Sequence, residues 1–154
     1  MAVSKAAEAG YIKEFTVASN DNKGNISMVG GLVNFQYFES IMDNTVKVSA
    51  VFNDSGDSIN GKTARSGLPI VTEEKVTIKI EDNNKNTLEF SDKKNNPLFI
   101  KNCTPLSEDT RKEVLNLYCV SGEAIKNSRV VLRSRFDGKI SDSVRKIVTE
   151  GNFK

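Results

Sequence analysis

The chain has no histidine and no tryptophan, and only three prolines and two cysteines among 154 residues. Without histidine the commonest general base is missing, and so is the side chain most often used to ligate metals. Cys103 and Cys119 fall on separate predicted strands with no CxxC spacing, so no metal site is expected and both read as ordinary reduced thiols, one or both buried. No apolar run approaches the roughly 18–20 residues of a membrane helix, so no membrane-spanning segment is expected. Residues 1–10 are Ala-rich, carry Lys5 and Glu8, and lack the apolar core and cleavage pattern of a signal peptide; they read as a flexible N-terminus. Neither sign of charge dominates. The 22 basic and 20 acidic residues leave a net charge of +2, too balanced for a dedicated polyanion binder.

What is present suits one soluble domain. A hydrophobic share of 38% against 27% charged residues lies in the range of globular proteins, and a chain of this length can bury one core without staples. The dominant pattern is alternation. Residues 11–19 place Tyr11, Phe15 and Val17 on one face, with Lys13 interrupting, and the polar cluster 20–25 reads as a turn. Residues 31–42 set Val33, Phe35 and Tyr37 against Asn34 and Gln36, with a break near Glu39 and Ser40. Residues 45–52 alternate more cleanly through Val46, Val48, Ala50 and Phe52, and the short link between these two strands predicts an antiparallel pair.

Residues 53–67 are rich in Gly, Ser and Asp, with Ile59 as their single large apolar residue, and read as a long excursion of the kind that makes contacts. Alternation resumes at 75–81 through Val76, Ile78 and Ile80. Residues 87–90 form a short return strand, giving a hairpin at a sheet edge. Two long strands follow at 98–105 and 111–120, the second with Leu115, Leu117 and Cys119 on one face. Residues 122–128 read as a helical turn and 129–136 as a last strand, with Val130 and Leu132 facing one way and Arg133 and Arg135 suited to an edge or a subunit boundary. The one convincing helix is terminal: Ile140, Val144, Ile147 and Val148 stand at helical spacing, Ser141 can cap its start, Asp142 suits the first turn and Gly151 its end. Strands first and helix last predict a mainly β fold, an antiparallel β-barrel of about seven strands (residues 11–139) with a C-terminal helix (residues 140–154).

Chemistry is sparse. There is no Gly-x-Ser-x-Gly elbow and no phosphate-cradling loop, and Gly30-Gly31 precedes a strand instead of opening a helix. The carboxylate pairs Glu73-Glu74 and Glu108-Asp109 sit in polar stretches and read as solvated charges. Aromatics Phe35, Tyr37, Phe52, Phe90 and Phe99 fall mainly on core faces, which favours plain core over the stacking platform of a nucleic-acid-binding barrel. Lys62, Arg65, Arg129, Arg133 and Arg135 could meet phosphate or an acidic neighbouring subunit, with a solvated face as the bland reading. No catalytic residue, metal ligand or cofactor site emerges.

The serial order of motifs adds a resemblance. Val33-Asn34-Phe35-Gln36-Tyr37-Phe38-Glu39-Ser40-Ile41 is followed by a strand ending Val51-Phe52-Asn53-Asp54. Next come Gly67-Leu68-Pro69-Ile70-Val71 and Glu74-Lys75-Val76-Thr77-Ile78. The second half runs through Leu98-Phe99-Ile100-Lys101-Asn102, Val114 to Ser121, and Glu123-Ala124-Ile125-Lys126-Asn127, leading to Arg129-Val130 and Phe136, and ends on Ile140-Ser141-Asp142-Ser143-Val144-Arg145-Lys146-Ile147-Val148. This order resembles the N-terminal, tube-like domain of central hub proteins from the baseplates of contractile-tailed phages. The resemblance implies a non-enzymatic virion protein. Three chains, each with two tube-like domains, form a ring that joins the tail tube to the central spike and lets DNA pass through its channel. It implies a homotrimer, tail-tube and spike proteins as partners, and assembly in the host cytoplasm. One such domain is present here, as in a hub fragment or a one-domain relative. Subunit contacts are expected at Phe38, Glu39, Ser40 and Ile41, at Lys62 and Arg65, and at Arg129, Arg133 and Arg135. The alternatives are a tail-tube initiator or terminator adaptor with the same barrel, and, in a different class, a nucleic-acid-binding module.

Overall fold

The computed structural model describes residues 10–21, 24–56, 59–109, 112–129 and 137–150, and for Val148 and Glu150 the backbone alone. Alternation does produce strands: β1 (Tyr11–Ala18), β2 (Asn25–Ser27), β3 (Leu32–Phe38), β4 (Lys47–Asp54), β5 (Lys75–Glu81), β6 (Thr87–Phe90), β7 (Leu98–Glu108) and β8 (Glu113–Ser121). Three α-helices, α1 (Ala64–Gly67), α2 (Gly122–Arg129) and α3 (Ile140–Glu150), and two 3-10 turns at Val29–Gly31 and Asp92–Lys94 complete the elements of the described residues. All strand pairs are antiparallel, in one sheet ordered β2-β1-β5-β7-β8-β4-β3, with β6 hydrogen-bonded to β5 off this path. The mainly β, antiparallel class with a C-terminal helix is therefore as expected.

The sheet is rolled on itself. Phe15 of β1 meets Phe35 of β3 edge to face at 6.3 Å between ring centroids, and Tyr37 of β3 meets Phe90 of β6 at 6.0 Å, although β3 ends the strand order. Between these walls lie Phe15, Val17, Met28, Val48, Ala50, Val76, Ile78, Leu98, Ile100, Leu117 and Cys119, all fully buried. Side chains, not hydrogen bonds, bring the two ends of the sheet together. Among the described residues no ladder joins β3 to β1 or β2, so both β2 and β3 keep an open outer edge.

Bulges explain where simple alternation fails. The β1–β5 register shifts between Ile12 and Glu14, which places Ile12 against the core and leaves Tyr11 exposed, contrary to the period-two phasing with Phe15. A second shift between Leu32 and Asn34 turns Val33 outward while Leu32 and Phe35 pack inward. A third, between Ile100 and Asn102, puts Ile100 and Cys103 on the same side. One extra residue reverses every face that follows, and the bulged strand bends, which suits a sheet that rolls.

Several boundaries differ from expectation. The turn after β1 is tighter than 20–25, because Asn25 already pairs with Ala18 in a short strand. The β5–β6 hairpin forms, but it branches from the middle of the sheet: β7 takes Lys75 and Val76, and β6 takes Ile78 to Glu81. Arg129 ends α2 instead of opening a strand; the remainder of that expected strand, with Val130, Leu132, Arg133 and Arg135, lies outside the described residues, as do residues 1–9 and Gly151. The helix α3 begins at Ile140, so Ser141 sits inside its first turn and does not cap it.

The 53–67 excursion is tied down. Asp54 is fully buried, and its carboxylate accepts from the backbone N–H of Gly56 at 2.9 Å and from that of Ala64. Thr63 caps α1 by accepting from Ser66 N–H at 3.3 Å, and Ala64, Leu68 and Ile70 enter the core with Ile59 packed beside them.

Candidate assembly surface

Strands β4 and β8 lie in register from Lys47 opposite Val120 to Asp54 opposite Glu113, and so define two ends of the roll. At the Lys47 end, β3 runs out through Phe38 into a loop whose tip is apolar: Phe38 is half exposed, while Ile41 and Met42 stand at 101% and 91% exposure. The loop has internal order. Tyr37 Oη donates to Glu39 at 2.7 Å, Asp43 N–H donates to the Ser40 carbonyl at 3.0 Å, Met42 N–H donates to Ser40 Oγ at 3.2 Å, and Lys47 donates to Asp43. Burial and the Glu39 carboxylate push the Tyr37 phenol up to about 12, so it stays a donor at neutral pH. The hydrogen bond from Lys47 holds the Asp43 carboxyl below its ordinary value. The apolar tip is thus presented on a braced loop at one end of the β3 edge, while the outward Val33 lies at the other end of that strand, near Phe52. Phe38, Glu39, Ser40 and Ile41 fall together at the loop end.

Lys62 and Arg65 do not join them, and Arg133 and Arg135 lie outside the described residues. Lys62 and Arg65 lie at the Asp54 end, and Arg129 lies at the end of α2. Arg65 donates to Glu113 at 2.8 Å and Arg129 donates to Glu73. Both guanidinium groups therefore serve internal ion pairs, which weakens the reading of these arginines as a phosphate-binding row.

The carboxylates correct the sequence reading more sharply. Glu74 is only 2% exposed; one of its oxygens accepts from Val71 N–H at 2.9 Å and the other is the single buried side-chain oxygen without a hydrogen-bond partner among the described residues. Glu73 pairs with Arg129, while Glu108 and Asp109 are exposed as expected. Asp54, Glu74 and Glu113 are buried acids that sequence reasoning missed. A signal existed, because each stands in the phase of a strand's core face, Asp54 with Phe52, Glu113 with Leu115, and Glu74, just before β5, with Val76.

Phe52 and Phe90 are buried, and Phe35 and Tyr37 pack against the core. These four lie as the plain-core reading expects, but Phe99 does not: Leu98 and Ile100 on either side of it are buried, and Phe99 lines an open groove beside Pro97. Burial raises both thiols, Cys103 to about 11 and Cys119 to about 12, and both are free. No group of His, Cys, Asp and Glu able to hold a metal occurs among the described residues, and no helix there is long and apolar enough to cross a membrane. No family model matches the chain, and neither a curated protein nor a solved structure matches it.

Proposed function

We propose that the chain is a non-enzymatic structural subunit that joins copies of itself edge to edge in a ring. The observation that carries this reading is the pair of edges, β2 and β3, at opposite ends of one rolled sheet, which have no outer strand partner among the described residues. Two different edges on one subunit suit a heterologous contact, which closes into a ring when the rotation allows and satisfies the unpaired backbone groups of both strands. The exposed Val33, Phe38, Ile41 and Met42 beside β3 supply apolar area for the same contact. Internal pairing of Arg65 and Arg129 and inward packing of Phe35, Tyr37, Phe52 and Phe90 favour this over nucleic-acid binding.

The ring we have in mind is the baseplate hub of a contractile-tailed phage, a homotrimer between tail tube and central spike, with DNA passing through its channel. That part of the proposal rests on the order of motifs from Val33 to Val148. Negative-stain electron microscopy of the purified chain, alongside its mass in solution, tests it. Rings with three-fold or six-fold symmetry and a central hole support the reading; a six-fold ring points to the tube-adaptor form of the same barrel. A strict monomer that binds DNA or RNA with a steep salt dependence overturns it.

A further inference from the structure

The helix α3 carries Ile140, Val144 and Ile147 on one face, yet Ile140 is 83% and Val144 53% exposed. An 11-residue helix is about 16 Å long and is marginal in water unless its apolar face is covered. The same molecule has an open groove of about 530 Å³ at the Lys47 end of the roll, and no residue of α3 lines it. Val46, Phe90, Pro97 and Phe99 contribute its apolar surface, and the start of α2 forms one wall. The charges match. On the rim Asp43 is paired with Lys47 and Asp92 with Lys75, which leaves Glu39 and Glu123 against Lys126, whereas α3 with the residue before it carries Lys139, Arg145 and Lys146 against two acids.

We propose that α3 of one copy docks in this groove of the next, its Ile140, Val144 and Ile147 stripe covering the Phe99 floor. The proposal rests on the ring reading and adds a second contact to it, since the groove adjoins the β3–β4 loop that carries Ile41 and Met42. Docking of this kind exchanges an element between neighbours and orders a helix that is otherwise uncovered.

Two chains test it, each with one introduced cysteine in a Cys103→Ser background, so that the buried Cys119 is the one native thiol left. Asn44→Cys places a thiol on the groove wall, and Ser143→Cys places one beside the apolar stripe of α3; Asn44 is exposed and Ser143 partly so. An equal mixture of the two full-length variants, mildly oxidised, is expected to give a disulfide-linked dimer on a non-reducing gel. Chains with Cys103→Ser alone, whose Cys119 is buried, give none. Adding Val144→Asp to the Ser143→Cys chain is expected to abolish the dimer band. No dimer from the mixture, with an internal disulfide in the Asn44→Cys, Ser143→Cys double variant, means that the chain's own helix fills the groove and overturns the proposal. No disulfide in either experiment also overturns it. Light scattering on the same samples separates the two readings: a ring mass without cross-links removes the helix contact alone, and a monomer mass removes both.

Discussion

Arg65 donates to Glu113 at 2.8 Å, joining the one-turn helix of the long excursion to the start of β8, and the Glu113 side chain is only 4% exposed. Asp54, opposite Glu113 in the β4–β8 register, holds the same excursion through Gly56 and Ala64 N–H. The two carboxylates act from adjacent strands on one segment. Arg65→Ala leaves Glu113 buried without its cation and is expected to cost about 1–2 kcal/mol, reduced by the partial exposure of the guanidinium. In a Glu113→Gln background the same change is expected to cost less than about half of that, which urea titration of the four chains in a double-mutant cycle measures.

Core and patch are expected to separate cleanly. Leu117→Asp or Val76→Asp puts a carboxylate at a fully buried position and costs on the order of 4 kcal/mol or more, enough to unfold the domain. Ile41→Asp and Met42→Asp fall on the exposed loop tip and are expected to leave the melting temperature of the isolated chain within the effect of about 0.5 kcal/mol. Equal losses from the two classes would count against the assignment of faces.

Gly31 has no room for a side chain. A Cβ there would overlap the Asn53 carbonyl oxygen and the Phe52 ring, and a backbone oxygen cannot swing aside. Gly31→Ala is expected to destabilise by about 1–3 kcal/mol in chemical denaturation. Gly30→Ala meets nothing within 4 Å and serves as the control.

The thiols set an alkaline limit. Burial raises Cys119 from 9.0 to about 12 and Cys103 to about 11, so the unfolded chain loses these protons first. Stability is then full below about pH 9 and falls as pH rises between the unfolded and folded values. Cys119→Ala is expected to flatten that fall in denaturation curves taken at about pH 8 and 10. At neutral pH a thiol reagent is expected to label the native protein far more slowly than the unfolded one.

Much of the fold is legible in the sequence because alternation is a local property. The strand at residues 75–81 and the Leu115, Leu117, Cys119 face follow from period two alone, and the structure has them so. Tyr11 and Val33 do not, because bulges are set by how the sheet bends and leave no mark in the spacing. The buried acids were readable in principle, since Asp54, Glu74 and Glu113 lie in core phase. Which partner would receive each of them was not, because Arg65 is 48 residues from Glu113. The candidate surface was half legible: residues 38–41 gather at one end of the roll, but Lys62 and Arg65 lie at the other, Arg65 and Arg129 are paired within the chain, and Arg133 and Arg135 lie outside the described residues.

The most direct test of edge-to-edge assembly is sedimentation of the wild-type chain beside Val33→Lys, Phe38→Lys, which puts two charges along the open β3 edge. A wild-type ring of three or six subunits that falls to a folded monomer in the variant is expected. A wild-type monomer over the whole accessible concentration range, or a ring unchanged by the two lysines, would contradict it.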